Sequence, residues 1–316
     1  MHLSFTPLNR KSTNTMMELD GSQSTALVEI NRGERNYHSL FSSPDAEVIL
    51  AAKNDSVTSA SIYFRLHSHN LKTASGFFRQ MFMLPQNSHP DDGIFYLEED
   101  ASTLELLFRM ISGLPIPQID SYDVIDPLLD AIEKYDTPGP LSVVRLLVMT
   151  PSLLGQPFRL YAIACRFGWD AEAQYASTQT LAFDLYDKEV RKYLSRLSSN
   201  ALLRLFDLHR ARREGLRQRL NDPPFVSGGL ATCNNCGAVI DYHTWRELKY
   251  KIILEMDVRP LGDSILDQGL SGWPEALACW QAKCAQAGCS RALYDKTETL
   301  RVIRECIETL PKCITP

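Results

Sequence analysis

Strand-forming sequence is confined to three short runs between residues 47 and 97, and the apolar residues after them recur at helical spacing. The runs are Glu47-Val48-Ile49-Leu50-Ala51, Ser61-Ile62-Tyr63-Phe64-Arg65-Leu66-His67 and Ile94-Phe95-Tyr96-Leu97. In the second run Ile62, Phe64 and Leu66 share one face. With the turn-like Lys53-Asn54-Asp55-Ser56 between them, the first two runs read as a hairpin packed on one side. A polar Pro/Asp/Gly loop over residues 85–93 leads to the third. Phe77, Phe78, Met81 and Phe82 form a helical stripe, expected to bury Met81 and Phe82 and to leave Phe78 more exposed. Leu104, Leu107, Phe108 and Ile111 form another, with Asp100 or Ser102 as its cap. Leu128, Leu129, Ile132 and Tyr135 continue until Thr137-Pro138-Gly139-Pro140 stops them. Strands early and helices late argue against a doubly wound parallel sheet. They predict an α+β fold: a small mixed sheet with a helical cluster, then an α-helical C-terminal region with a Cys-rich module.

A chain of 316 residues can bury a core without staples. Its net charge of −5 disfavours a general nucleic-acid coat. There is no apolar run of the ~18 residues a membrane helix needs, and the N-terminus lacks an apolar signal core. The expectation is an intracellular protein, cytoplasmic or nuclear, with reduced thiols and no membrane partner. Residues 1–43, rich in Ser, Thr, Asn and charge, are expected to be disordered. Residues 44–187 form the α+β unit and 188–227 a helical linker broken at Asn221-Asp222-Pro223-Pro224. Residues 228–316, opened by Gly228-Gly229, form a helical Cys-containing module with Trp245, Leu248 and Ile252 on one helix and Leu300, Ile303 and Ile307 on another.

The stretch Phe64-Arg65-Leu66-His67 through Leu71, Ser75 and Phe78-Arg79-Gln80-Met81-Phe82 resembles the BTB/POZ core signature. Tyr96-Leu97-Glu98-Glu99-Asp100, Phe108 to Gly113 and Leu128 to Asp136 resemble later parts of that family in its order. Arg159 to Trp169 and Glu172 to Leu185 are similar to the extended BTB proteins of mushroom-forming fungi. The resemblance covers about residues 43–187. It implies an α+β protein-interaction module that forms homodimers, and in some members recruits a cullin-type ubiquitin ligase scaffold or a corepressor. The family's charged pocket for corepressors pairs an Asp with a Lys or Arg. This chain has Glu47 and Ser68 at those positions, so recruitment by that route is not expected.

The cysteines carry the sharpest chemical signal. Cys233-x2-Cys236-Gly237 is a tight pair, and Cys284 and Cys289 lie downstream in the same module. Two thiolates two residues apart can share one tetrahedral Zn²⁺ from a turn, and a second pair completes the four ligands. The candidate structural zinc ligands are therefore Cys233, Cys236, Cys284 and Cys289, with Cys279 or His243 as substitutes for one of them. The competing readings are small buried cysteines on a helix and, less favoured, a redox CxxC. Cys165, Cys306 and Cys313 read as packing or surface residues.

His67 is expected to be a buried structural histidine rather than a catalytic base; His69 and His89 carry no partner pattern. Arg204, Arg210, Arg212, Arg213, Arg217 and Arg219 lie on one helix and read first as a solvated face. With the Cys module they also define the alternative, a zinc-containing nucleic-acid-binding regulator. There is no Walker A loop, GxGxxG, GxSxG or HExxH. The leading expectation is a non-enzymatic interaction adaptor.

Overall fold

The early runs form one mixed sheet. β1 (Asn36–Tyr37), β2 (Val48–Ala51), β3 (Ile62–Leu66) and β4 (Ile94–Tyr96) lie in the order β1-β3-β2-β4. β2 and β3 are antiparallel with Leu50 opposite Phe64, as the hairpin reading requires; β4 runs parallel to β2, and β1 parallel to β3. This computed structural model describes residues 35–53, 61–84, 93–225 and 231–315. Asn54-Asp55-Ser56, residues 85–92 of the expected loop, His89, Gly228-Gly229 and residues 1–34 lie outside them.

β1 falls in the segment whose composition suggested disorder. Its two residues have no apolar alternation and owe their place to pairing with β3. Just beyond, Phe41 is buried and packs its ring 5.7 Å from Phe64 and 6.0 Å from Phe108. One aromatic anchor thus fixes the chain earlier than residue 44.

Helices α1 (Ser68–Ala74), α2 (Gly76–Met81), α3 (Ala101–Ile111), α4 (Tyr122–Lys134), α5 (Pro138–Leu147), α6 (Pro151–Leu154), α7 (Pro157–Phe167) and α8 (Asp170–Thr180) share a core with the sheet. Asp100 caps α3 as expected, accepting from the Thr103 N–H at 2.8 Å. Ser75 separates α1 from α2: its Oγ accepts from Phe78 N–H and donates to the Tyr135 carbonyl at 2.5 Å. Gly76 N–H donates to the Asp136 carbonyl, and a Cβ at Gly76 would strike the Asp136 side chain. Ser75 and Gly76 therefore hold α2 against the end of α4.

That docking corrects the reading of the aromatic stripe. Phe78 is fully buried and stacks on Tyr135 at 5.3 Å, while Met81 and Phe82 near the helix end are half-buried and Phe77 is exposed. Helical spacing shows that a stripe exists but not which residue meets the next helix. Phe78→Ala is expected to cost about 3–5 kcal/mol. Phe77→Ala should cost less, about 1–2 kcal/mol, since over a third of its surface is already open to solvent. Urea midpoints of the two variants check the order.

The second half is built on α9 (Lys188–Leu194) and α10 (Ser199–Arg219). They are more than a linker. Val190, Leu194, Leu205 and Leu208 join the first core, and Leu216 and Leu220 join a second. That second core is shared with α11 (His243–Val258), α13 (Pro274–Gln281) and α14 (Lys296–Thr309); a π-helical turn, Ile265–Gly269, and the short α12 (Leu270–Gly272) lie between α11 and α13. Among the described residues no helix is long and apolar enough to cross a membrane.

Side chains on α10 tie the halves together. Arg212 is buried, with its guanidinium donating to the carbonyls of Pro260 (2.7 Å), Leu261 (3.0 Å), Pro311 (2.7 Å) and Leu310 (3.3 Å). One turn earlier, His209 is buried with Nε2 3.2 Å from Thr180 Oγ1. Burial, helped by the Arg212 charge, lowers the His209 pKa to about 4. The folded ring stays neutral down to that value, whereas the unfolded ring takes its proton near pH 6.5. Acidification through this window therefore favours unfolding. Stability should fall by about 3 kcal/mol between pH 7 and pH 4 from this group. The loss should be absent from His209→Gln; paired urea titrations of wild type and variant isolate it.

Candidate metal centre

The Cys233-x2-Cys236 turn is carried by a minimal hairpin. β5 (Ala231–Thr232) pairs antiparallel with β6 (Val239–Ile240), and Cys233 N–H donates to the Ala238 carbonyl at 2.8 Å. Gly237 N–H returns to the Cys233 carbonyl, and Gly237 adopts φ +74°, where a Cβ would be strained.

A second knuckle faces the first. Lys283 bridges Ala292, Cys284 N–H donates to the Arg291 carbonyl at 2.8 Å, and Cys289 N–H donates to Gln286. The longer spacing of this pair is taken up by Gly288 at φ +83° and Ser290 at φ +49°. Four intervening residues therefore close a turn as well as two do.

The two knuckles bring together the four cysteines named from the sequence. Cys233 Sγ lies 3.7 Å from Cys289 Sγ, Cys236 Sγ lies 3.6 Å from Cys284 Sγ, and all four sulfurs are within 4.8 Å of one another. A tetrahedral thiolate site with metal–sulfur bonds of about 2.3 Å has sulfur–sulfur edges of about 3.8 Å. A disulfide would need about 2.05 Å. The sulfurs fit around one metal ion.

Donors surround them too. The N–H groups of Asn235 and Cys236 point to Cys233 Sγ and lower its pKa. The Asn235 side chain donates to Cys289 Sγ at 3.4 Å and, with the Arg291 N–H, brings that thiol down to about 6. Cys236 receives the Ala238 N–H, yet desolvation and its thiol neighbours push it up to about 12. Four crowded sulfurs cannot all ionise against one another; a dication in their midst supplies the opposing charge.

The two candidate substitutes stay out of the cluster. Cys279 is buried in the second core, where desolvation pushes its thiol up to about 12. His243 is exposed at the start of α11, its Nδ1 3.7 Å from Asp241 Oδ2. With four protein sulfurs and no open position, the arrangement is that of a structural centre rather than a catalytic one.

Other residues singled out from the sequence fall elsewhere. His67 is a correction: its side chain is about half exposed, with Nδ1 3.5 Å from Glu47 Oε2, because β3 ends before it and α1 begins just after it. Glu47 and Ser68 do meet; the Ser68 hydroxyl and N–H both donate to the Glu47 carboxylate and hold its pKa down to about 2. The arginine helix is not simply a solvated face. Arg204 donates to the Thr315 carbonyl, Arg212 is buried, Arg213 pairs with Asp257, Arg217 with Glu214, and Arg219 donates to the Pro223 carbonyl. Sequence reasoning missed the buried Arg212–His209 pair, whose only signal was an arginine three residues beyond a histidine on an apolar face.

Comparison with protein-family models and with curated proteins found no match.

Proposed function

We propose that this chain is a non-enzymatic protein-interaction adaptor with a BTB/POZ-like N-terminal unit and a zinc-stabilised C-terminal module. The observation that carries the zinc assignment is the set of four mutually adjacent sulfurs on two facing knuckles. All-thiolate tetrahedral donor sets suit zinc. The adaptor reading is supported by the sequence signature of residues 64–82 and by the mixed sheet into which it leads. Ser75 and Phe78 from that signature dock α2, while His67 near its start is exposed. Large apolar side chains nearby face solvent: Phe77, Met83, Leu84 and the edge-strand residue Tyr96. Such exposure is what an association surface requires. A nucleic-acid surface on α10 is weakened by arginines already engaged within the fold: Arg212 is buried, and Arg213 and Arg217 pair with Asp257 and Glu214.

Two measurements test the two parts. Light scattering after size exclusion should return twice the 35.7 kDa chain mass; 35.7 kDa across a wide concentration range removes self-association. Elemental analysis of the purified chain should find about one zinc per molecule. Cys236→Ser should bring that to near zero and lower the melting temperature of the module. Unchanged metal content and melting in that variant would leave the four thiols without a structural role.

A further inference from the structure

The four sulfurs pair across the knuckles. Cys233 with Cys289 and Cys236 with Cys284 are the thiol pairs at 3.7 and 3.6 Å. Each pair joins a covered sulfur to a reachable one: Cys233 and Cys284 are buried, Cys289 is half-buried and Cys236 is exposed. Closing each pair to the ~2.05 Å of a disulfide needs a movement of about 1.6 Å, within the reach of side-chain rotation. We propose that this centre is an oxidation site, which a hydroperoxide converts into two specific disulfides, Cys233–Cys289 and Cys236–Cys284. The metal lost in the process is the zinc of the reading above, and the proposal rests on that reading only for this loss.

The most exposed sulfur, that of Cys236, reacts first, as its thiolate. Cys236 attacks one peroxide oxygen and the O–O bond breaks, leaving a sulfenic acid on Cys236 and a hydroxide that takes up a proton. The Cys284 thiolate then attacks that sulfur, forms the S–S bond and expels the sulfenic oxygen, which leaves as water once protonated. Two thiolates, one hydrogen peroxide and two protons thus give one disulfide and two waters. Cys289 and Cys233 repeat the sequence with a second peroxide. Once one pair has closed, two ligands remain where a structural site needs four, and the metal is released. The new bonds span 56 and 48 residues and join the same knuckles the metal joined. Oxidation therefore exchanges one cross-link for another and leaves the module folded.

The test uses the full chain loaded with zinc, its content checked by elemental analysis. Hydrogen peroxide is added in steps to about two equivalents, one for each thiol pair. Released zinc is followed with a chromogenic chelator, and the product is digested with trypsin without reduction. Trypsin leaves Cys233 and Cys236 on one peptide and Cys284 and Cys289 on another. Links across the knuckles join the two peptides, links within a knuckle do not, and tandem mass spectrometry assigns the pairs. The expected result is zinc release in step with peptide joining, the two named pairs, unchanged far-ultraviolet circular dichroism, and recovery of the thiols with dithiothreitol. Disulfides within a knuckle, the swapped cross-pairs, sulfinic acids as the main product, or zinc retained on reduced thiols each overturn the proposal. A chain that carries no zinc yet forms the same two disulfides upholds the oxidation site and removes the zinc reading.

Discussion

A buried guanidinium, with no carboxylate paired to it among the described residues, is the interaction on which the joined structure depends. Taking a cation out of water costs several kcal/mol unless its donors are satisfied and opposing charge lies close. Arg212 meets both needs with backbone alone. Its donors reach Pro260 and Leu261 on one side, and Leu310 and Pro311 just past the end of α14 on the other. The last carbonyls of a helix lack partners within it and carry its partial negative charge, so the C-terminal end of α14 serves as the counter-ion. A lysine, with three donors on one nitrogen, could not reach both segments in the same plane.

This clamp fixes more than α14. The 260–261 segment it holds also meets the first half: Leu261 N–H donates to the Leu181 carbonyl, and Arg259 donates to the Ala182 carbonyl beside it. The chain after Pro311 runs back to the first core, where Ile314 is buried and its N–H donates to Ser177 Oγ. Residues just past the end of α8 thus find partners in the second half. The two cores share α10 and are stitched on both sides of Arg212, which sets their relative placement through polar contacts rather than a continuous apolar seam.

How legible all this was in the sequence follows the range of each interaction. The strands β2, β3 and β4, the cap at Asp100 and the stop before Pro138 rest on neighbouring residues, and patterns of two to four positions reveal them. Phe41, Phe78 and Arg212 were not legible, because each is decided by a partner far along the chain: Phe108, Tyr135 and the carbonyls near residues 260 and 310. The arginine run looked like a solvated face because composition cannot show that one member points inward. His67 misled in the opposite direction; a strand-end histidine in an apolar run suggested burial, but the step from β3 into α1 turns it out toward Glu47. The metal centre sits between these cases. Cys233-x2-Cys236-Gly237 is local and readable, and Cys284 and Cys289 could be named as the second pair, whereas excluding Cys279 as a substitute rests on α13 ending at Gln281, before Cys284 and after Cys279.

That boundary explains why a cross-link is needed where it is. Cys279 lies on the helix and is held by the second core. Beyond Gln281, the chain up to Asp295 has one isolated bridge and no helix, and the facing hairpin is two residues long in each strand. A two-stranded hairpin that short has too few hydrogen bonds and too little apolar cover to persist in water. Neither knuckle can hold the other by packing, since Cys236, Gly237 and Val239 face solvent. What the apolar core cannot supply at this end of the module, shared coordination of four sulfurs can. The same poverty of packing leaves Cys236 open to solvent, so the stability and the chemical exposure of this corner have one cause.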